Sequence, residues 1–241
     1  MAIKASKNSS TERLITAESN KTPFAVVEAY KNLRTNLISI LAKTDGKVLA
    51  ITSPNAAEGK STTALNIAIT LSQLNKKVVI LDTDSRKPSI HKKIRINNEK
   101  GCMDYLLGTH SLDQITVKYN PYLDIIISGA KVKNPAELFS GTKFLELLNE
   151  LEDHYDYVVL DTPPINLVSD ALIIAQKCDA VIMVVRANTT KYEAFEAAYD
   201  SLKVLDIELD GVIINGSGGK GAYYKNSYKS YKYYSPYQES K

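Results

Sequence analysis

"ITSPNAAEGKSTT", residues 51–63, lies between a short β-branched run and a helical pattern. A phosphate-binding loop reads G-x-x-x-x-G-K-[ST] in that setting. Gly59, Lys60 and Ser61 match the end of this signature, whereas Pro54 occupies its first glycine. Phosphate binding needs backbone N–H groups converging at a positive helix terminus, one cation and one hydroxyl for a metal. Gly59, Lys60, Ser61 and Thr62 supply those parts. The substitutions remove glycine's freedom to take a positive φ, and Pro54 has no N–H to offer.

Working outward, strand patterns recur at 47–52, 77–81, 123–127, 157–160, 180–185 and 209–214. Helical patterns occupy 23–43, 59–74, 142–151, 170–176 and 191–205. Near-continuous apolar strands alternating with helices predict an α/β fold: a mostly parallel sheet covered by helices on both faces. Ligands in such sheets bind beyond the carboxyl ends of the strands. The acidic residues collect there. "VVILDTDSRKP" (78–88) ends an apolar strand in Asp82, Asp84 and Arg86, and residues two apart in an extended chain face one side. "YVVLDTPP" (157–164) ends in Asp161 before two prolines, the pattern of a Walker B strand whose acid holds Mg2+ through water. A solvated turn after a strand is the bland alternative for the first of these.

Composition narrows the function. The chain has 241 residues and 44% hydrophobic residues, enough for one sizeable core. Its first 22 residues are polar and mixed, without a signal-peptide pattern. The longest aliphatic run, 180–185, is far short of the roughly 20 residues that span a bilayer. Cys102 and Cys178 are isolated and the three histidines are scattered, which argues for a reducing compartment and against a His/Cys metal site. The net charge is +3, but residues 216–241 hold five lysines and one glutamate, so the other 215 residues carry −1. The basic excess belongs to the tail, and nucleic-acid binding is not expected.

Three motifs in this order resemble the bacterial tyrosine kinases, relatives of the Min and Par partition ATPases. The resemblance covers about residues 20–241 and includes "EAYKNLRTN" (28–36), the loop, the hhhhDxDxR motif at 78–86, "NPAEL" (134–138), "LDTPP" and a tyrosine-rich end. The family loop usually reads T-S-x-x-P-G-E-G-K-S-T. Thr52, Ser53, Glu58, Gly59, Lys60, Ser61 and Thr62 match, and Ala56 and Ala57 replace its Pro-Gly pair. The resemblance implies a P-loop NTPase fold using ATP and Mg2+, with 57–62 around the phosphates. Lys60 would neutralise the β- and γ-phosphates, and Ser61 would bind the metal, with Asp82 and Asp161 holding its waters. Asp82 is the first choice for the base that accepts the tyrosine proton, and Asp84 the second. Arg86 would balance phosphate charge or form an outward salt bridge, and Asn215 would contact adenine or make a strand-end turn.

The resemblance also divides the chain: a flexible arm over 1–22, a kinase domain over 23–215 and a tail over 216–241. Tyr223, Tyr224, Tyr228, Tyr231, Tyr233, Tyr234 and Tyr237 form the expected autophosphorylation cluster. They are interleaved with Lys, Ser and Asn without helical or strand period, so the segment is expected to stay disordered. The family's E-x-x-R-x-x-R docking helix corresponds here to Glu28, Lys31 and Arg34, which implies a ring-like homo-oligomer. Further implied partners are a membrane-anchored activator of the polysaccharide copolymerase type, a cognate tyrosine phosphatase and polysaccharide-synthesis proteins of capsule or exopolysaccharide operons. The expected place is the cytoplasm, at the inner membrane face through the activator. The competing readings are a partition-type ATPase switch and a catalytically silent binding module. Against the first, no lysine lies between Ala50 and Glu58.

Overall fold

The computed structural model describes residues 22–216. Residues 1–21 of the N-terminal arm and the tyrosine cluster from Tyr223 to Tyr237 lie outside them. Helix α1 (Phe24–Leu41) leads into β1 (Val48–Thr52), α2 (Lys60–Ser72) and β2 (Val78–Asp82). Short helices α3 (Ile90–Ile94), α4 (Cys102–Leu106) and α5 (Leu112–Ile115) precede the hairpin of β3 (Thr116–Asn120) and β4 (Leu123–Ile126). Then come α6 (Pro135–Ser140), α7 (Thr142–His154) and β5 (Tyr157–Asp161). The described fold closes with α8 (Asp170–Ala175), β6 (Ala180–Arg186), α9 (Tyr192–Val204) and β7 (Gly211–Asn215).

The strand order is β3-β4-β2-β5-β1-β6-β7, and every pairing is parallel except β3 with β4. The expected sheet is therefore present, with one antiparallel edge strand added. That strand, "TVKYN", carries no fully buried residue, so an apolar run does not betray it.

Strand alternation shows why both faces must be covered. Leu49, Ile51, Val78, Ile80 and Val159 join the cluster built on α1 and α2, with Leu37, Leu41, Ile67 and Leu71. Their neighbours Val48, Val79, Leu81, Val158 and Leu160 point the other way, onto Phe139, Phe144, Leu147 and Leu151 of α6 and α7. Ala50, Val181 and Met183 meet Ala171 of α8 and Ala198 and Leu202 of α9. Each fully buried Leu, Ile, Val or Phe contributes about 1.5–3 kcal/mol. Cys102 and Cys178 are both free thiols, Cys102 fully buried. Among the described residues, no helix is long and apolar enough to cross a membrane.

Candidate active site

Both acidic strands end beside β1. Asp82 and Asp161 are direct register partners on β2 and β5, and Asp161 also pairs with Ile51 just before the loop. This juxtaposition places the two carboxylates and the start of α2 at one edge of the sheet.

The loop is held by its own side chains. Glu58 is 2% exposed. Its carboxylate accepts from the Asn55 N–H (3.0 Å) and from the Thr190 hydroxyl (2.7 Å). Glu58 therefore braces the loop with its side chain and leaves only its backbone for a phosphate. Gly59 adopts φ +100°, and Ala57 adopts φ +64°, the left-handed region that disfavours a β-carbon. Two cations missed in the sequence support the loop. Arg186 Nη1 donates to the Ala57 carbonyl (3.2 Å), and Lys93 Nζ donates to the Thr62 hydroxyl (2.8 Å). The basic run that follows Asp84 was the available signal for Lys93. Arg186 had none beyond its place at a strand end.

Helix α2 begins just after its N-cap Gly59 and buries every residue except Thr62. A helix buried on nearly every side is fixed by its surroundings, so its N-terminus is held facing the loop. Lys60 Nζ lies 2.9 Å from Asp84 Oδ2 and 3.2 Å from Asp161 Oδ1, and donates to Ser61 Oγ at 3.3 Å. Burial alone would lower the Lys60 pKa. The carboxylates of Asp161 and Asp84 outweigh it, and the pKa is raised. A phosphate at the helix terminus would compete with these carboxylates for the ammonium.

The two candidate bases differ in access. Asp82 is fully buried; its Oδ2 accepts from the Ser89 and Ile90 N–H groups (2.9 Å each) and its Oδ1 from Asp84 N–H (3.2 Å). Desolvation, then repulsion from Asp161, pushes the Asp82 pKa up to about 7. Asp161 is likewise raised by burial, with Lys60 opposing. Asp84 instead lines a cavity of about 650 Å3 at the head of α2, together with Ala57, Gly59, Lys60, Ser61, Thr62, Lys93 and the apolar lip of Pro163, Pro164 and Leu167. Arg86 reaches this wall, but its guanidinium forms a bidentate pair with buried Asp170 (2.7 and 3.2 Å). The salt-bridge alternative read from the sequence is the one observed.

Asn215 lies outside that cavity. Its amide donates to the Glu58 carbonyl (3.0 Å) and lines a neighbouring groove of about 560 Å3 between α1 and β7. The candidate docking residues bond within the chain. Lys31 pairs with Glu28 (2.7 Å), and Arg34 Nη1 donates to the Thr70 carbonyl of α2 (2.7 Å).

Comparison with known proteins agrees with this geometry. A family model described as an AAA domain matches residues 46–206. The tyrosine-protein kinase YwqD of Bacillus subtilis (strain 168) is 35% identical over 217 residues, 90% of this chain and 91% of its own length. The chain belongs to the bacterial tyrosine-kinase family. The putative tyrosine-protein kinase CapB of Staphylococcus aureus is 33% identical over 89% of the kinase and 92% of its own length. The kinase domain of the Escherichia coli tyrosine kinase ETK superposes with a TM-score of 0.82 at 28% identity, covering 90% of this kinase and 84% of that chain. The cavity at the head of α2 is thus the candidate nucleotide site of this kinase.

Proposed function

We propose that this kinase is an ATP-dependent autokinase that phosphorylates tyrosines of its 223–237 cluster between subunits, and so regulates capsular or exopolysaccharide synthesis and export. The observation that carries the chemistry is the position of Lys60 between Asp84 and Asp161 on a cavity whose lip is apolar. The lip offers a tyrosine ring a surface beside the phosphate loop. A phenol with an ordinary pKa near 10 needs a proton acceptor. Asp84, on the cavity wall, has direct access, and Asp82 stands behind it. In the transfer the phenolic oxygen bonds to the γ-phosphorus, the bond from γ-phosphorus to the β,γ-bridging oxygen breaks, the proton passes to the carboxylate, and ADP leaves.

The donor set fits Mg2+. Asp161 Oδ2 is buried without a hydrogen-bond partner, and of the adjacent buried carboxylates Asp82 and Asp161 only Asp161 forms an ion pair with Lys60, whose ammonium is also held by Asp84. Ser61, Asp82 and Asp161 would hold the ion, which supplies charge neutralisation at the β,γ-bridge when bound. Glu28, Lys31 and Arg34 on α1 are the proposed docking surface of a ring. A membrane-anchored activator would bring the kinase to the cytoplasmic membrane face, with a tyrosine phosphatase resetting the tail. Full modification would move the tail from +4 to about −7.

The test mixes two chains. One carries Lys60→Met with an intact tail, and the other lacks residues 222–241 but keeps its site. Incubated with Mg-ATP and the activator's cytoplasmic segment, the mixture should place phosphate on the Lys60→Met chain, and neither chain alone should be labelled at the tail. Self-labelling of the unaltered kinase at a rate independent of concentration, with no label on the Lys60→Met partner, would overturn transfer between subunits.

A further inference from the structure

Resting on the autokinase reading, we propose that a second pocket, beside the catalytic cavity, binds phosphotyrosine and retains the tail after its first modification. The pocket encloses about 480 Å3 and is lined by Arg86, Lys87, His91, Lys92, Asn98 and Lys131. Arg86 and Lys87 line the nucleotide cavity too, so the two spaces share a wall.

Its charge is uncompensated. Among the described residues, the ammonium groups of Lys87, Lys92 and Lys131 enter no salt bridge, and only Arg86 is matched, by Asp170. Nearby carboxylates are engaged elsewhere. Asp84 holds Lys60, and Asp104 accepts from the Gly101 and Ala130 N–H groups. His91 adds a buried Nδ1 without a hydrogen-bond partner. Desolvation, then Lys92, lowers the His91 pKa, so the ring is neutral at physiological pH and can serve as a hydrogen-bonding group. The concentration is local: Arg86, Lys87, Lys92, Lys93, Arg95 and Lys100 face a single acid, Glu99, in a stretch of a chain whose other residues outside the tail are net acidic.

Phosphotyrosine is the anion these features select. Several uncompensated cations favour a dianionic phosphate over a single carboxylate, because charge-assisted hydrogen bonds to phosphate add up. The volume admits an aryl phosphate, and the reaction makes one across the shared wall. The unmodified tail, at +4, is repelled by the same surface. Each phosphate adds about −1.5 to −2, so the first transfer places a local dianion on the tail and about three transfers reverse its net charge. A phosphotyrosine held there keeps its neighbours in the cluster at high effective concentration beside Asp84. Several transfers per encounter follow.

The test measures binding with synthetic peptides, independent of whether the kinase makes phosphotyrosine. Fluorescent peptides spanning 222–241, one unmodified and one phosphorylated at Tyr228, are titrated with the ADP-loaded full chain. The phosphopeptide should bind at least tenfold more tightly. The doubly substituted Lys92→Glu, Lys131→Glu chain should lose at least fivefold of that affinity while its ADP affinity stays unchanged. In turnover the same double variant should shift the products from multiply to singly phosphorylated tails. Equal affinity for the two peptides, or an unchanged phosphopeptide affinity in the double variant, would overturn the proposal. So would full displacement by inorganic phosphate at the concentration of the phosphopeptide, which would reduce the pocket to a simple anion site. Binding as expected from a chain that forms no phosphotyrosine would keep the pocket and remove the autokinase reading.

Discussion

Asn215 closes directly over Gly59. Its side-chain amide donates to the carbonyl of Glu58 at 3.0 Å, and a β-carbon built on Gly59 would collide with that amide nitrogen. The last described strand therefore buttresses the turn proposed to present N–H groups to a phosphate. Gly59 is required twice, for its φ of +100° and for this contact.

The first prediction is that Gly59→Ala lowers nucleotide affinity at least tenfold, about 1.4 kcal/mol, by displacing either Asn215 or the start of α2. Asn215→Ala should cost less, because it removes one hydrogen bond without blocking the turn. Titration calorimetry with a non-hydrolysable ATP analogue compares the two. Equal, small effects would show that the contact is slack.

Ala57 provides a second test of the loop. At φ +64° its β-carbon costs roughly 1–2 kcal/mol, while glycine would release that strain and add unfolded-state entropy of about 0.5–1 kcal/mol. Ala57→Gly should therefore raise stability by up to about 1 kcal/mol and tighten nucleotide binding a few-fold. Chemical denaturation and calorimetry measure both. Weaker binding with glycine at this position would mean that strain at Ala57 assists the site.

The acids should separate by role. Asp84→Asn should reduce the rate of tyrosine phosphorylation at least a hundredfold with nucleotide binding changed less than threefold, since it faces the cavity. Asp82→Asn should weaken Mg2+-dependent binding and turnover together. In the nucleotide-free protein Asp82 should also leave a signature in pH. Its pKa is near 3.8 when unfolded and raised to about 7 when folded, so between those values the folded state binds the extra proton. Stability should then fall as pH rises from about 4 to 7. Asp82→Asn should flatten that slope in thermal melts, and an unaltered slope would assign it to other groups.

Arg34 has a contact inside the chain that its proposed docking role must be separated from. Removing its hydrogen bond to the Thr70 carbonyl should cost about 1–2 kcal/mol, because a charged donor is lost from the C-terminal turns of α2. Arg34→Ala should thus lower the melting temperature as well as any assembly. Arg34→Lys keeps a donor but loses the planar fork needed for bidentate pairing. Melting temperature restored with assembly still lost, by light scattering, would support docking. Restoration of both would make Arg34 a brace for α2 alone.

Much of this protein was readable in the chain. The runs read at 47–52, 77–81, 157–160 and 180–185 emerged as the central strands within a residue at each end, because strands covered on both faces are nearly continuously apolar. The loop before α2 was legible because Gly59, Lys60 and Ser61 are local neighbours whose job depends on one turn of backbone. The edge strand β3 and the short helices α3 to α6 were not, since their few buried residues make too weak a period.

What the sequence could not decide is which strands stand side by side. Asp82 and Asp161 are 79 positions apart, and only the insertion of β5 between β1 and β2 makes them register partners with Lys60 before them. The same packing set Asp84 on the cavity wall and Asp82 behind it, paired Arg86 with Asp170, and brought Lys93 to Thr62. Local composition fixes which residues bury and where the chain turns. Long-range register, imposed when both sheet faces are sealed, fixes which charges meet and how strongly each is desolvated.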